Sequence, residues 1–149
     1  MLTVNINEVE LTEEVSELDP SSSLRYAFPL SSTEGTGSTA AVYFELDPGN
    51  RLSRHSDSAE EVLVVLSGTV EASVDDERSV LDAGAIAVVP AMAPHEVTNV
   101  GAGVARVVGV FSSSAVVATF EQPAAAGAEQ VFVIGAPVPM AAGLADSAA

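Results

Sequence analysis

The segment formed by residues 49–68, GNRLSRHSDSAEEVLVVLSG, constrains the fold more than any other part of the chain. Its odd-numbered positions carry His55, Asp57 and Glu61 and then continue into an aliphatic run. Because side chains of a β-strand alternate between two faces, an extended chain would place these three groups on one face with the aliphatic residues. Buried charge is unfavourable unless it is paired or coordinated, so a metal ion is the simplest explanation for such a cluster.

Short β-type runs separated by turn residues occur along the rest of the chain. Strands are predicted at residues 24–30, 39–46, 61–66, 69–74, 79–81, 85–89, 95–99, 104–111, 115–120 and 130–134. Strands of this length and spacing are typical of an all-β sandwich or barrel. Alternate residues of such strands line a central cavity, where His55, Glu61 and His95 would meet. A short helix is predicted to begin at Thr12 and to end at Pro20.

The length of 149 residues fits one domain with a sizeable core. We expect residues 1–38 to form an N-terminal arm with an edge strand over 24–30. Residues 39–120 would form the β-barrel, and residues 121–149 a C-terminal arm rich in Ala, Pro and Gly. The small residues at 140–149 predict a frayed end.

The absence of cysteine excludes disulfides, zinc ribbons, iron–sulfur clusters and thiol nucleophiles. A metal site must therefore use histidine and carboxylate ligands. The chain has two histidines, His55 and His95, and this scarcity makes their positions informative.

The formal net charge is −16, and all five basic residues are arginine. A surface of this kind repels nucleic acid and anionic membranes, so neither is an expected partner. An acidic chain without lysine suits a high-salt cytoplasm, where self-repulsion is screened. A high-GC genome, which replaces Lys with Arg, explains the same composition. No apolar run is long enough for a membrane helix and no targeting segment is recognisable, so a cytoplasmic location is expected.

Two motifs stand in sequence around these histidines. The first reads Gly49-x5-His55-x-Asp57-x3-Glu61-x6-Gly68, and the second reads Gly84-x5-Pro90-x-Met92-x2-His95-x3-Asn99, with fifteen residues between Gly68 and Gly84. The pair closely resembles the signature of the cupin family, G-x5-H-x-H-x3,4-E-x6-G followed by G-x5-P-x-G-x2-H-x3-N. The resemblance covers residues 39–111. Asp57 and Met92 depart from it, since the family has His and Gly at these positions.

This resemblance implies an all-β fold, a single jelly-roll β-barrel with a divalent metal ion inside. It carries the ligand role over to His55, Glu61 and His95, and the family's fourth ligand falls on Asp57.

The chemistry of the residues agrees with this assignment. Two imidazoles and a carboxylate with open positions form a facial arrangement that suits Fe(II) and also accepts Mn, Ni, Co or Zn. If Asp57 binds as well, the second carboxylate favours Fe(II) or Mn(II). If it does not, Asp57 orients water, accepts a substrate proton or pairs with Arg51 or Arg54. Asp57 and Glu61 are the candidate catalytic residues.

Other residues receive weaker interpretations. Glu60 is expected to be solvated, Met92 to pack in a wall, and Asn99 to bond the barrel mouth or the backbone. Arg106 lies among valines and needs an acidic partner, either in the protein or on a substrate. The aromatic residues that could line the pocket, or simply form core or dimer contacts, are Tyr26, Phe28, Tyr43, Phe44 and Phe111.

Two functions remain open at this point. One is a small metalloenzyme, similar to dioxygenase, isomerase or lyase cupins, that acts on a small oxygen-rich molecule. The other is a non-catalytic barrel that binds a small molecule or uses the metal for stability, since one fold hosts many functions. In either case a homodimer is expected, because segments 24–30 and 130–134 can pair with sheet edges, including those of a partner.

Overall fold

The computed structural model describes residues 1–135. Every regular element in that part of the chain is a β-strand. The strands are β1 (Thr12–Val15), β2 (Ser23–Leu30), β3 (Ala40–Leu46), β4 (Arg51–Asp57), β5 (Glu61–Ser67), β6 (Thr69–Val74), β7 (Glu77–Asp82), β8 (Ile86–Val89), β9 (His95–Asn99), β10 (Ala105–Phe111), β11 (Val116–Phe120) and β12 (Val131–Ile134). The all-β prediction is therefore confirmed, and residues 1–135 contain no helix that could span a membrane.

The strands form two six-stranded antiparallel sheets. The front sheet has the order β1-β2-β3-β10-β5-β8, and the back sheet has the order β12-β11-β4-β9-β6-β7. Long connections place strands that are distant in sequence side by side, as in the pairing of β10 with both β3 and β5. The two central strands of each sheet therefore come from different halves of the chain. They are β3 and β10 in the front sheet and β4 and β9 in the back sheet.

The inner faces of the two sheets meet in one hydrophobic core. Phe44, Leu63 and Val107 of the front sheet belong to the same buried cluster as Val97 and Val116 of the back sheet. This contact buries the alternate apolar residues of both sheets and holds the layers together.

The predicted closed barrel is wrong in one respect, because the sheets form a jelly-roll-like sandwich that does not close. Among residues 1–135, the only β-bridge recorded outside the twelve strands is an isolated one, Ser22 to Arg51. Side-chain packing rather than a continuous hydrogen-bonded ladder therefore joins the layers.

Ten predicted strands coincide with β2, β3 and β5 to β12 to within two residues. The helix predicted after Thr12 is wrong, since residues 12–15 pair with β2 instead. A segment this short gains little from helical hydrogen bonds, and pairing with a neighbouring strand prevails. Strand β2 is not an edge strand, because β1 covers it, and its register with β3 shifts in the Ala27–Leu30 region beside Pro29.

The opening segment also differs from a single continuous strand. β4 ends at Asp57 in the back sheet, and β5 begins at Glu61 in the front sheet. Residues 58–60 carry the chain between the layers, so the polar groups face one another across the sandwich instead of sharing one strand face. The frayed end predicted for residues 140–149 lies outside the described residues.

Candidate metal centre

The two histidines lie side by side on neighbouring strands of the back sheet. His55 of β4 is the register partner of His95, the first residue of β9. Their ring centroids are 4.2 Å apart, and the two residues are 5% and 2% exposed. Antiparallel pairing thus brings together two imidazoles that are far apart in sequence.

Two carboxylates complete the cluster from adjacent positions. Asp57 ends β4 in the back sheet, Glu61 begins β5 in the front sheet, and both are buried. The Nε2 atom of His95 lies 3.2 Å from Asp57 Oδ2 and 3.3 Å from Glu61 Oε1. The Nε2 atom of His55 lies 3.5 Å from the same Asp57 oxygen. All four residues predicted from the sequence therefore lie in one cluster, in which His55, Asp57 and His95 are mutually close and Glu61 adjoins His95.

Backbone carbonyls set the orientation of both imidazoles. His55 Nδ1 is 2.7 Å from the carbonyl oxygen of Ser53, and His95 Nδ1 is 2.9 Å from that of Ala93. A carbonyl oxygen only accepts hydrogen bonds, so each Nδ1 carries a hydrogen and donates it. This leaves Nε2 as the nitrogen that faces the carboxylates, which is the arrangement of histidine metal ligands with supporting hydrogen bonds.

The chemistry of the donor set fits a metal ion. One atom each of His55, Asp57 and His95 lies within 4.8 Å of the others. Asp57 Oδ2 and His95 Nε2 are buried and form no hydrogen bond, although they are 3.2 Å apart. Buried polar atoms are rarely left without a partner, so these two atoms need either a proton or a cation between them. A divalent ion between them would satisfy both.

The charges in the cluster perturb one another strongly. Burial disfavours ionisation of Asp57, but the two close imidazoles outweigh it and lower the pKa to about 2. Burial raises the pKa of Glu61. Burial also opposes the charge of the His95 imidazole, but Asp57 and Glu61 prevail and raise its pKa to about 10. Without a metal ion, a proton on His95 supplies the positive charge that the carboxylates require.

Gly109 makes room for one of the carboxylates, a role that the sequence analysis missed. A Cβ atom at this position of β10 would lie 2.0 Å from Glu61 Oε2 and 3.0 Å from Val42 Cγ1. Only a residue without a side chain allows the Glu61 carboxylate to lie where it does. An isolated glycine inside the run VVGVF was the available signal for such a close approach.

The cluster borders a cavity of about 320 Å³. His55, Asp57 and Glu61 line this cavity. Phe120 also lines it, and its ring stacks on His55 at 4.7 Å and 22°. Phe120 is a second residue missed from the sequence, since nothing in its local pattern indicates that it would lie beside His55.

The structure also decides between the roles considered for nearby residues. Arg51 pairs with Asp19, and Arg54 with Glu121 at 3.2 Å, so neither arginine neutralises Asp57.

Arg106 lies on the outer side of the front sheet. It donates hydrogen bonds to Tyr43 and Asn7, and its Nε is 4.0 Å from Glu45. Neither Arg106 nor Tyr43 lines the cavity, whereas the other four aromatic candidates, Tyr26, Phe28, Phe44 and Phe111, do.

The prediction for Met92 is wrong, because its side chain is 61% exposed and packs in no wall. Met92 has a φ of 67°, in the left-handed region that favours glycine, and its backbone N–H donates to the carbonyl of Asp57 at 2.7 Å. The cupin signature has glycine here, and this backbone conformation is a physical reason for it. Asn99 bonds backbone groups and Glu60 is exposed, as predicted.

Comparison with known proteins confirms the resemblance inferred from the two motifs. Residues 42–111 match the family model described as "Cupin domain". No curated protein matches the chain.

Several solved structures share the fold. The cupin domain of Cnp3 from Schizosaccharomyces pombe is 17% identical with a TM-score of 0.62, over 75% of this chain and 74% of that one. The polyketide cyclase RemF from Streptomyces resistomycificus is 17% identical with a TM-score of 0.60, over 74% of this chain and 78% of that one. Oxalate decarboxylase from Lactobacillus farciminis, solved as a formate complex, is 20% identical with a TM-score of 0.60, over 70% of this chain but 31% of that one.

Proposed function

We propose that this chain, in which residues 42–111 form a cupin domain, binds one divalent metal ion through His55, Asp57, Glu61 and His95. The observation that carries the proposal is the pair of buried atoms without hydrogen bonds, Asp57 Oδ2 and His95 Nε2, beside a cavity that Asp57 lines. Two imidazoles with Nε2 directed at two carboxylates form a donor set that suits Fe(II) or Mn(II), with Ni, Co or Zn as further candidates.

We further propose that the protein is a small metalloenzyme that acts on an oxygen-rich molecule held in the cavity. A bound divalent ion would supply Lewis acidity toward a carbonyl or enol oxygen. Asp57 stays ionised and serves as a ligand, and Glu61 binds the ion as a second carboxylate beside the substrate. The names of two similar structures, an oxalate decarboxylase and a polyketide cyclase, support an enzymatic role.

The metal proposal is tested on protein purified without a histidine tag. Elemental analysis is expected to give about one metal ion per chain, and added Mn(II) or anaerobic Fe(II) to raise the melting temperature of metal-stripped protein. Glu61→Gln should bind the metal more weakly, whereas Glu60→Gln, its exposed neighbour, should behave as wild type. No stoichiometric metal together with an unchanged melting temperature would contradict the proposal.

Catalysis requires a separate measurement on the metal-loaded protein. Oxygen uptake and product analysis with flavonol, acireductone and thiol substrates test the dioxygenase-like chemistry. Turnover that disappears in Glu61→Gln and persists in Glu60→Gln supports an enzyme. Tight binding of a small molecule without any turnover would select the non-catalytic alternative.

We also propose a homodimer, formed through an apolar outer face rather than through the terminal arms. The arms already pair within the chain, because β1 covers β2 and β12 covers β11. The outer face of β10, β5 and β8 carries six aliphatic residues in register. We name these six the valine face: Val62, Val64, Ile86, Val88, Val108 and Val110.

This face is charge-free in a chain of net charge −16. Two copies of such an acidic molecule repel each other at most orientations, but an uncharged patch is complementary to itself, as a two-fold interface requires. Ile86 and Val88 are 67% and 56% exposed, so a partner copy has apolar area to cover. A native mass equal to the 15.1 kDa monomer would contradict the dimer.

A further inference from the structure

We propose that the cavity selects an uncharged aromatic molecule and discriminates against anions such as carboxylates and phosphate esters. The inference rests on the proposed function, because the substrate's oxygen atom would face the metal centre. Three features of the cavity carry it: its walls, its basic residues and its acidic residues.

The walls are aromatic on both sides of the sandwich. The rings that line the cavity are Tyr26, Phe28, Phe44, Phe111, Phe120 and Phe132. Tyr26 and Phe28 lie 5.4 Å apart, and Phe120 meets Phe132 edge to face at 5.5 Å. Side chains arranged in this way offer both faces and edges to a planar guest ring. The volume of about 320 Å³ suits a molecule of one or two rings.

The basic groups that could receive an anion are already paired. The chain has no lysine, and its five arginines all have protein partners. Arg51 and Arg54 line the cavity. Arg54 contacts Glu121 and also donates to the Asp75 carbonyl at 3.2 Å. Arg51 pairs with Asp19 through Nη2, and its Nε is buried without a hydrogen-bond partner.

Carboxylates outnumber these guanidinium groups along the cavity. Glu14, Glu96 and Glu129 line it in addition to the two paired acids and the two carboxylates of the metal centre. A divalent ion adds two positive charges, yet acidic groups remain in excess. An anionic ligand would therefore lose its hydration and be repelled by the carboxylates. No unpaired guanidinium group, the group best suited to bind an anion, would compensate for this cost.

The test uses two probes of nearly equal shape, benzamide and benzoate, titrated calorimetrically into the metal-loaded protein at low ionic strength. A carboxylate binds a divalent ion better than an amide does, so metal affinity alone would favour benzoate. We expect benzamide to bind about 10-fold more tightly and the difference to narrow in 1 M KCl, because salt screens the acidic rim. Acetamide, which lacks the ring, should bind about 10-fold more weakly than benzamide.

One variant should narrow the selectivity without disturbing the metal centre. Glu121→Gln removes the charge that pairs with Arg54, so benzoate should gain about fivefold in affinity relative to benzamide. Glu71→Gln is the matched control, because it releases Arg78 of the β6–β7 hairpin, which does not line the cavity. This control should leave both affinities unchanged.

Benzoate that binds as tightly as benzamide, or benzamide that shows no binding up to about 10 mM, would overturn the inference. Metal binding is measured beforehand without either probe, so its failure counts against the proposed function alone. The same titrations on metal-free protein then decide the inference, because the aromatic walls and the acidic rim belong to the chain. Without the two positive charges of the metal, the preference for benzamide should increase.

Discussion

Each face of the front sheet departs locally from the usual pattern of a β-sandwich. In β5, Glu61 points inward beside two buried histidines, whereas Val62 and Val64 on the outer face are part of the valine face. A sandwich normally buries apolar residues and exposes polar ones, so both arrangements are unfavourable in an isolated chain. These two departures are the basis of the two proposals, a metal ion bound on the inside and a second copy of the chain on the outside.

The two faces differ in how their binding energy is distributed over residues. The inner cluster consists of two imidazoles and two carboxylates in direct contact with one another. A single substitution among them should therefore abolish metal binding. The valine face gains its energy from area, and single substitutions there should change association but leave the monomer intact. A substitution on the inner face should therefore change metal binding without changing dimerisation, and a substitution on the valine face should do the reverse.

The largest effect is expected from His95→Ala, which removes one imidazole from the centre. Metal affinity should fall by more than about 100-fold, and the metal should no longer add its roughly 3–4 kcal/mol to the free energy of unfolding. Denaturant unfolding with and without a chelator measures this increment. Val97→Ala, on the same face of β9, should lower intrinsic stability but keep the increment. Loss of the increment in both variants would mean that packing rather than ligation controls it.

Gly109→Ala should damage the centre without removing a ligand. The new Cβ would collide with the Glu61 carboxylate, so metal affinity should fall by about 10- to 100-fold and stability by about 1–3 kcal/mol. Gly103→Ala is the matched control, because nothing lies within 4 Å of a Cβ there. Metal titration and thermal unfolding of both variants decide the point. Equal behaviour of the two variants would contradict the proposed role of Gly109.

Val88→Asp tests the outer face. A carboxylate on the valine face should weaken the dimer by about 100-fold, while metal affinity and monomer stability remain near those of wild type. Sedimentation equilibrium gives the association constant. Val117→Asp is the control, because Val117 is 41% exposed on the other sheet. A dimer that survives Val88→Asp and dissociates with Val117→Asp would place the interface on the back sheet.

The two faces should also respond differently to pH. The pKa of His95 is about 10 without metal, so a bound ion must displace one proton at neutral pH. Metal affinity should therefore rise about 10-fold for each pH unit between 7 and 9, and stop rising above pH 10. Calorimetry in two buffers with different ionisation enthalpies counts the released proton. Metal affinity that is independent of pH would contradict this protonation state of His95. The association constant of the dimer should not change with pH over the same range, because the valine face has no titratable group.

The smallest effect is expected at Met92, beside the centre. Met92→Gly should stabilise the protein by about 0.5–1 kcal/mol, because it relieves a left-handed conformation. Met92→Ala retains the Cβ atom and should give no such gain, which thermal unfolding can measure. A stabilising alanine and a destabilising glycine would show that the backbone at this position is not strained.

The sequence was sufficient to predict most strands, and the four residues that it singled out as ligands lie in one cluster. Alternation within β9 or β10 is a local property, and turn residues such as Gly84 mark where a strand can begin. The sequence failed at residues 12–15, where helix-start residues form a strand because β2 offers them hydrogen bonds. It also failed at Met92, whose exposure depends on a backbone conformation rather than on hydropathy.

The sequence by itself determined that His55, Asp57, Glu61 and His95 form a constellation with metal-ligand chemistry, because residue type and spacing are written along the chain. Only the tertiary structure decided how they meet. The crossing between layers at residues 58–60 turns one strand face into two facing walls, and the space for Glu61 depends on Gly109 of a distant strand. The pairing of Arg54 with Glu121, on which the proposed substrate class depends, likewise joins residues far apart in sequence. Such contacts follow from the packing of the sheets, which no local pattern encodes.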